Sequence, residues 1–348
     1  MARVLYAVMG NTHGHIMRTQ SIVGRLPEHE FYFVGGGRVP AAFGKQYPIL
    51  EVPVLRTVHK NQTVSVWGVI QQIFLCLKSI PKVRRQILDL VQEWKPDVVI
   101  VDREFFTPIA LLGQKIPVLG IDHSHVMKAC DYPVPSDQWL SWSLAMLNDY
   151  LLFDFTRKNL VVSFFHPPHK KGNQDELFPA IVRPEVPLVQ PRNGDYILLY
   201  QTSNTFGALL EVMKQLPRRV VVYGFRNEHV VEGNITYKPY DPRDILEDLA
   251  GCYYAVVNGG HNLISEALFY GKPVFCFPIK MLFEQYINAW HVRALGYGDF
   301  STTRQPKAEL FLEFEAKVEA ARQRICVEFH EGTDLLVKRV EKFIQTRV

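Results

Sequence analysis

Short apolar runs alternate with helix-period segments along almost the whole chain. Runs at Val4–Val8, Phe31–Val34, Val98–Val101, Val118–Ile121 and Leu160–Val162 precede a proline-rich passage. Tyr196–Tyr200, Val220–Tyr223, Ala255–Val257 and Val274–Phe277 follow it. These runs are too short for helices, rich in Val, Ile and aromatics, and continuous rather than alternating, as in strands covered on both faces. Amphipathic segments lie between them, such as Ile16–Leu26 with apolar residues at Ile16, Ile22, Val23 and Leu26. The pattern predicts an α/β chain with parallel sheets. The passage Arg183–Asp195, RPEVPLVQPRNGD, has three prolines, a glycine and no helical period, and it divides the strands into two series. The expected plan is a doubly wound domain over 1–182, a linker over 183–194 and a second such domain over 195–330. A C-terminal helix in 331–348 is expected to pack back on the first domain. Such sheets bind ligands outside the carboxyl ends of their strands.

Polar and titratable residues recur at those ends. After Val4–Val8 comes MGNTHGHIMRT, where Gly10 and Gly14 permit a tight turn and His13 and His15 open the next helix. Unpaired amides at a helix start favour an anion or a polar substrate group, and the plain alternative is a capped turn. The turn lacks the GxGxxG spacing of a dinucleotide site. After Val98–Val101 come Asp102 and Glu104, on the edge where a cleft would lie, with a capping role for Asp102 as the plainer alternative. A DxE metal site is the weaker reading, because no third acidic ligand accompanies it. GIDHSHV places Asp122, His123 and His125 after the next strand.

The second half carries one more such edge. Ala255–Val257 runs into Asn258, Gly259, Gly260 and His261 before a helix expected from about Asn262. The glycines allow a ligand near the backbone, and the helix start offers free amides. Glu266, one turn inside, is within reach of a ribose diol, with complementing the helix dipole as the plainer role. Glu284 and Gln285 follow Val274–Phe277 on the same edge.

Composition narrows the classes. The 348 residues are 47% hydrophobic and 21% charged, with a net charge of +4, which suits a soluble globular chain and gives no footprint for nucleic acid. Five cysteines without CxxC or metal-ligand spacing read as reduced core residues of a cytoplasmic protein. No apolar run approaches the ~20 residues of a membrane span. Two aromatic-rich segments, Val64–Gln86 and Trp139–Phe155, read as buried helix faces. Lys60, Lys78, Lys82, Arg84 and Arg85 flank the first, which keeps a peripheral contact with the inner face of a membrane as the alternative.

The stretch NGGHNLISEALFYGKPVFCFPIKMLFEQYINAWHVRALGYG resembles the donor-binding signature of GT-B glycosyltransferases. It is similar to bacterial enzymes related to the peptidoglycan N-acetylglucosaminyl transferase and, more distantly, to macrolide and plant UDP-glycosyltransferases. GNTHGHIMRTQSIVGRL resembles the same group's first strand–helix turn, with His15 at the position of its general base. The HxGxGT form of the macrolide enzymes is absent.

The resemblance implies two Rossmann-like domains facing across a cleft and inverting, metal-independent transfer without a cofactor. The sugar would pass from a nucleotide-sugar, with UDP expected, to a glycan, a lipid-linked acceptor such as a cell-envelope glycan precursor, or a small-molecule hydroxyl. Catalysis is expected from His15 and Asp102. The donor side is expected to comprise Ser203, Gly259, Gly260, His261, Asn262, Ser265, Glu266, Glu284 and Gln285. The acceptor side is expected to comprise Asn11, Thr12, His13, Gly14, Glu104, Asp122 and His125. The rival readings are a nucleotide-sugar epimerase or hydrolase, and a nucleotide-sugar-binding regulator without turnover.

Overall fold

The computed structural model describes residues 1–55, 59–60, 63–64, 66–156, 158–201 and 206–346. These residues form two compact units. One comprises the chain up to Arg183 together with Gly332 onward; the other comprises Pro184–Glu331 and a short hairpin.

The first half supplies β1 (Arg3–Val8), β2 (Glu30–Val34), β3 (Ile49–Leu50), the hairpin β4 (His59–Lys60) and β5 (Thr63–Val64), β6 (Val98–Asp102), β7 (Val118–Asp122), β8 (Asn159–Ser163) and β9 (Glu176–Pro179). Apart from the hairpin they pair in the order β3-β2-β1-β6-β7-β8-β9, parallel throughout. The strand order reverses between β1 and β6, and their carboxyl ends are where such a sheet opens a crevice. The helices are α1 (His13–Val23), α2 (Val39–Phe43), α3 (Val66–Trp94), α4 (Phe106–Ala110), α5 (Val126–Ala129) and α6 (Trp139–Leu152). Val4, Tyr6, Val98, Ile100, Leu119 and Ile121 face one core with Ile16 and Ile22 of α1. Leu5, Ala7, Val99 and Val101 face another with Val83 and Ile87 of α3 and Phe106 of α4. The continuous apolar runs are therefore strands with both faces covered.

The second unit holds β10 (Ile197–Tyr200), β11 (Val220–Tyr223), β12 (Val230–Glu232), β13 (Ile235–Tyr237), β14 (Tyr254–Val257), β15 (Val274–Cys276) and β16 (Gly298–Phe300). Their order is β12-β13-β11-β10-β14-β15-β16. The expectation of purely parallel sheets fails here, since β12 pairs antiparallel with β13. Gly233, at φ +59° between them, permits the tight return. The reversal of order lies between β10 and β14, which puts the Asn258–Gly260 turn at the crevice position. Helices α7 (Gly207–Met213), α8 (Asp244–Gly251), α9 (His261–Phe269), α10 (Phe283–Ala294), α11 (Ala308–Glu315) and α12 (Val318–Glu328) cover this sheet. The proline-rich passage is tied to the same unit. Tyr270 donates to the Val186 carbonyl, Arg192 N–H donates to Ala250, and the buried Lys272 ammonium donates to the Arg192 carbonyl.

Helix α13 (Thr333–Gln345) packs in the first unit, with Leu336, Val340 and Ile344 in the core of β1 and α1. Arg339 grips Glu176 of β9 through two bonds of 2.7 and 2.8 Å. His29 lies 2.6 Å from Glu341.

The two aromatic-rich segments depart from the buried reading. In α6, Trp139, Leu140, Leu147, Tyr150 and Leu151 are all more than half exposed. In α3 the same holds for Trp67, Phe74 and Leu75. Buried faces exist on both helices, at Cys76, Val83 and Ile87 and at Met146 and Leu152. The outer faces are apolar as well, and periodicity alone does not separate the two. Among the described residues, no helix is long and apolar enough to cross a membrane.

Candidate active site

The first unit's site begins at the close contact that ends β1. A Cβ on Gly10 would sit 1.8 Å from the Gly36 carbonyl oxygen, so only glycine lets the chain turn there into α1. The turn sets His15 on the first turn of α1 and brings it to Asp102, the last residue of β6. His15 Nδ1 lies 2.7 Å from Asp102 Oδ1. The carboxylate is fully buried, while the His15 side chain keeps 16% exposure. One ring edge is thus pinned while the residue still reaches solvent.

Arg18, one turn after His15, is a partner that the sequence reading missed. Its Nε donates to Asp102 Oδ2 at 2.7 Å and its Nη2 to Oδ1 at 2.6 Å. Burial alone would raise the Asp102 pKa, but Arg18 first and then His15 outweigh it and hold the carboxyl below its usual value. Tyr6 of β1 lies beside this group, and burial first, then the Asp102 charge, keep its hydroxyl protonated. A small recess beside the same strand ends is lined by Gly10, Gly36, Val52, Leu55, Arg103 and Glu104.

The other residues expected on the acceptor side fall into separate roles. Asn11 donates to the Leu55 carbonyl at 3.3 Å, and its Oδ1 is buried without a partner. Thr12 is exposed at the N-cap of α1, with no side-chain capping bond. Gly14 follows in the first turn, half-buried. His13 is also half-buried, and burial, followed by Arg38 and Arg183, lowers its pKa. Glu104 is buried, and its two oxygens accept the Phe106 and Thr107 amides at 2.8 and 2.6 Å. It therefore caps α4, and burial raises its pKa.

Asp122 and His125 form a second buried pair, Nδ1 to Oδ2 at 2.6 Å, and the His125 amide donates to Oδ1 at 2.9 Å. Despite burial, His125 and then Arg103 hold Asp122 far below the usual carboxylate range. Despite burial, Asp122 holds His125 above its ordinary value. His125 Nε2 is buried with no partner. His123 Nδ1, by contrast, lies 2.8 Å from the Val162 carbonyl and serves the fold.

In the second unit, Asn258 directly follows β14 and donates to Gln201 Oε1 at 2.6 Å, joining the segments just past β14 and β10. Gly259 takes φ +100°, and its carbonyl accepts from Asn288 at 3.0 Å. Gly260 is the N-cap of α9, which begins at His261, one residue before the expected start. His261 is buried and its Nδ1 lies 3.2 Å from Asn262 Oδ1. Ser265 turns its hydroxyl back to the His261 carbonyl at 2.8 Å, a bond internal to the helix. Glu266 is a buried carboxylate, 2% exposed, in the second turn. Glu284 lies in the first turn of α10, half-buried. Gln285 Oε1 accepts the Ile279 amide at 3.0 Å. Ser203 lies outside the described residues.

Among the described residues, Glu28, His29 and Glu341 are the one group whose ligand atoms cluster as a metal site would require. His29 Nδ1 accepts the Ala2 amide at 3.2 Å, so its Nε2 carries the proton that faces Glu341. The group reads as a hydrogen-bonded anchor for α13.

The model of glycosyl transferase family 1 matches residues 2–318. The chain belongs to that family. No curated protein matches it. The structural likenesses run over whole chains at low identity. A glycotransferase of kitacinnamycin superposes with a TM-score of 0.69 at 16% identity, covering 98% of each chain. MurG of Acinetobacter baumannii gives 0.63 at 14%, covering 98% of this chain and 99% of that one. A UDP-glucosyltransferase from Polygonum tinctorium, capable of glucosylating indoxyl, gives 0.69 at 15%, covering 99% of both. The fold is GT-B, shared by this family 1 member with bacterial natural-product glycosyltransferases, MurG and plant UDP-glycosyltransferases.

Proposed function

We propose that the chain is an inverting glycosyltransferase that moves a sugar from a nucleoside-diphosphate sugar, with UDP as the expected carrier, to an acceptor hydroxyl. The observation that carries the reading is the 2.7 Å contact of His15 with a fully buried Asp102. An imidazole held through Nδ1 by a carboxylate leaves Nε2 to take the acceptor's proton as the oxygen attacks the anomeric carbon. The bond to the diphosphate breaks in the same step. Amides at the start of α9 would stabilise the negative charge that grows on the leaving diphosphate, with no metal required. Glu266 would accept from the ribose hydroxyls.

The experiment is donor binding. Glu266→Gln is expected to weaken UDP binding by roughly ten- to a hundredfold, the loss of a charge-assisted hydrogen bond worth about 1.5–3 kcal/mol. Isothermal titration of both proteins decides it, and equal affinities sink the ribose role. Product analysis with and without acceptors separates a transferase from an epimerase or hydrolase. UDP binding without turnover on any acceptor would favour a regulator.

The acceptor reading extends to a lipid-linked glycan reached from the cytoplasmic face of a membrane, and the outer face of α3 favours it. At 100° per residue, Trp67, Phe74, Leu75, Lys78, Lys82 and Arg85 fall within an arc of about 100°, and all six are exposed. The protein is then expected to sediment with anionic vesicles at low salt and to be released in part as salt rises. Replacing Lys82, Arg84 and Arg85 by Ser should weaken partitioning on the order of a hundredfold, at about 1 kcal/mol per charge. A protein that stays in the supernatant at low salt leaves only soluble acceptors.

A further inference from the structure

Arg18 is an unusual neighbour for a His–Asp pair. It is 4% exposed, its guanidinium fills both oxygens of Asp102, and its Nη2 also lies 2.9 Å from His15 Nδ1. One ring nitrogen thus faces the carboxylate at 2.7 Å and a permanent cation at almost the same distance. Nδ1 has a single valence to offer, so donating to Asp102 and accepting from Arg18 exclude each other. A carboxylate is the stronger claimant for a ring proton, which leaves the cation close by without a bond from the ring. In an isolated pair, the field of Asp102 would favour an added proton on the ring. Here a guanidinium of opposite charge lies against the same ring nitrogen.

We propose that Arg18 is a positioning residue of the His15–Asp102 pair, orienting the carboxylate and offsetting its charge so that the ring stays free to accept the acceptor's proton. The inference rests on the reading of His15 as base. The groups that face the cluster are Arg18 from α1, Asp102 from β6, Tyr6 from β1 and, acting on Arg18, Asp122 from β7. His13, on the same helix, is itself faced by Arg38 and Arg183. Arg18 alone among them sets a fixed positive charge against His15 Nδ1.

The test follows the His15 ring proton signals against pH by NMR, assigned by their loss in His15→Gln, in wild type, Arg18→Met and Arg18→Lys. Removing the cation is expected to move the midpoint of proton uptake by the pair upward by about one pH unit or more. Arg18→Lys, which keeps the charge and loses the fork, should stay near wild type in midpoint while turnover falls. The acid limb of the turnover–pH profile should move upward in step with the Arg18→Met midpoint. If Arg18→Met fails to fold, Arg18→Gln reads the same shift with a polar neutral group. A midpoint within about 0.3 unit of wild type in a folded neutral variant overturns the proposal. A shifted midpoint with an unmoved acid limb overturns the link to catalysis and removes His15 as the base. The titration needs no donor or acceptor, so its outcome stands apart from that of the transferase reading.

Discussion

His15→Ala is expected to lower sugar transfer by about 10²–10⁴-fold, the usual loss on removing a general base, while UDP affinity stays unchanged. At about 1.4 kcal/mol per decade this corresponds to roughly 3–6 kcal/mol of transition-state stabilisation. The variant should also fold. The two bonds from Arg18 to Asp102 survive the truncation, so no buried charge is left uncompensated, the condition that makes a broken ion pair costly. His15 is partly exposed, so the cavity opens to water. Turnover and UDP titration on the same preparation check the result. Near-normal turnover would refute the role of His15, and a matching fall in UDP affinity would place it in the donor site instead.

How far the sequence foretold these features follows from burial. All nine runs read as strands are strands, because in a sheet covered on both faces every position is apolar and the run stands out. The missed strands are β3, β9, β12, β13, β16 and the hairpin pair. They have two to four residues, lie mainly at sheet edges, and in β9 and β12 include Glu176 and Glu232. Short mixed runs of that kind have no period to detect. His15 and Asp102 were visible as polar residues after two strands, and the reversal of strand order between β1 and β6 explains why they meet. Arg18 was hidden because an arginine on a helix between sheets usually faces solvent. Its spacing of three from His15 was the available signal, since i and i+3 share a helix face. Glu104, expected on the acceptor side of the same edge, also accepts the first two amides of α4, a bond that no spacing in the sequence announces.

The Asn258–Gly260 turn, proposed to hold the donor, offers the second large effect, split between two adjacent glycines. Gly259→Ala is expected to destabilise the protein and weaken UDP binding together. At φ +100° an L-residue is strained, at a cost of about 1–3 kcal/mol. The added Cβ would also lie 2.7 Å from the Gln285 carbonyl oxygen. That oxygen belongs to backbone of α10, one turn before Asn288, whose side chain holds the Gly259 carbonyl. The clash therefore pushes on the α10 segment that fixes the turn. A fall in melting temperature of roughly 2–12 °C is expected. Gly260→Ala should behave differently. Its φ of −69° suits any residue, an added Cβ meets no atom within 4 Å, and alanine at an N-cap costs roughly 0.5–1 kcal/mol relative to glycine. The melting temperature should fall by only about 1–4 °C. If the diphosphate sits against this turn, the methyl group nevertheless occupies space the ligand needs, and UDP affinity should fall about tenfold, or 1.4 kcal/mol. Melting curves and UDP titrations on the two variants separate a turn needed for folding from a turn that touches the donor. Wild-type UDP affinity in Gly260→Ala would mean that the phosphates bind elsewhere. Unchanged melting in Gly259→Ala would mean that the strained turn relaxes without cost.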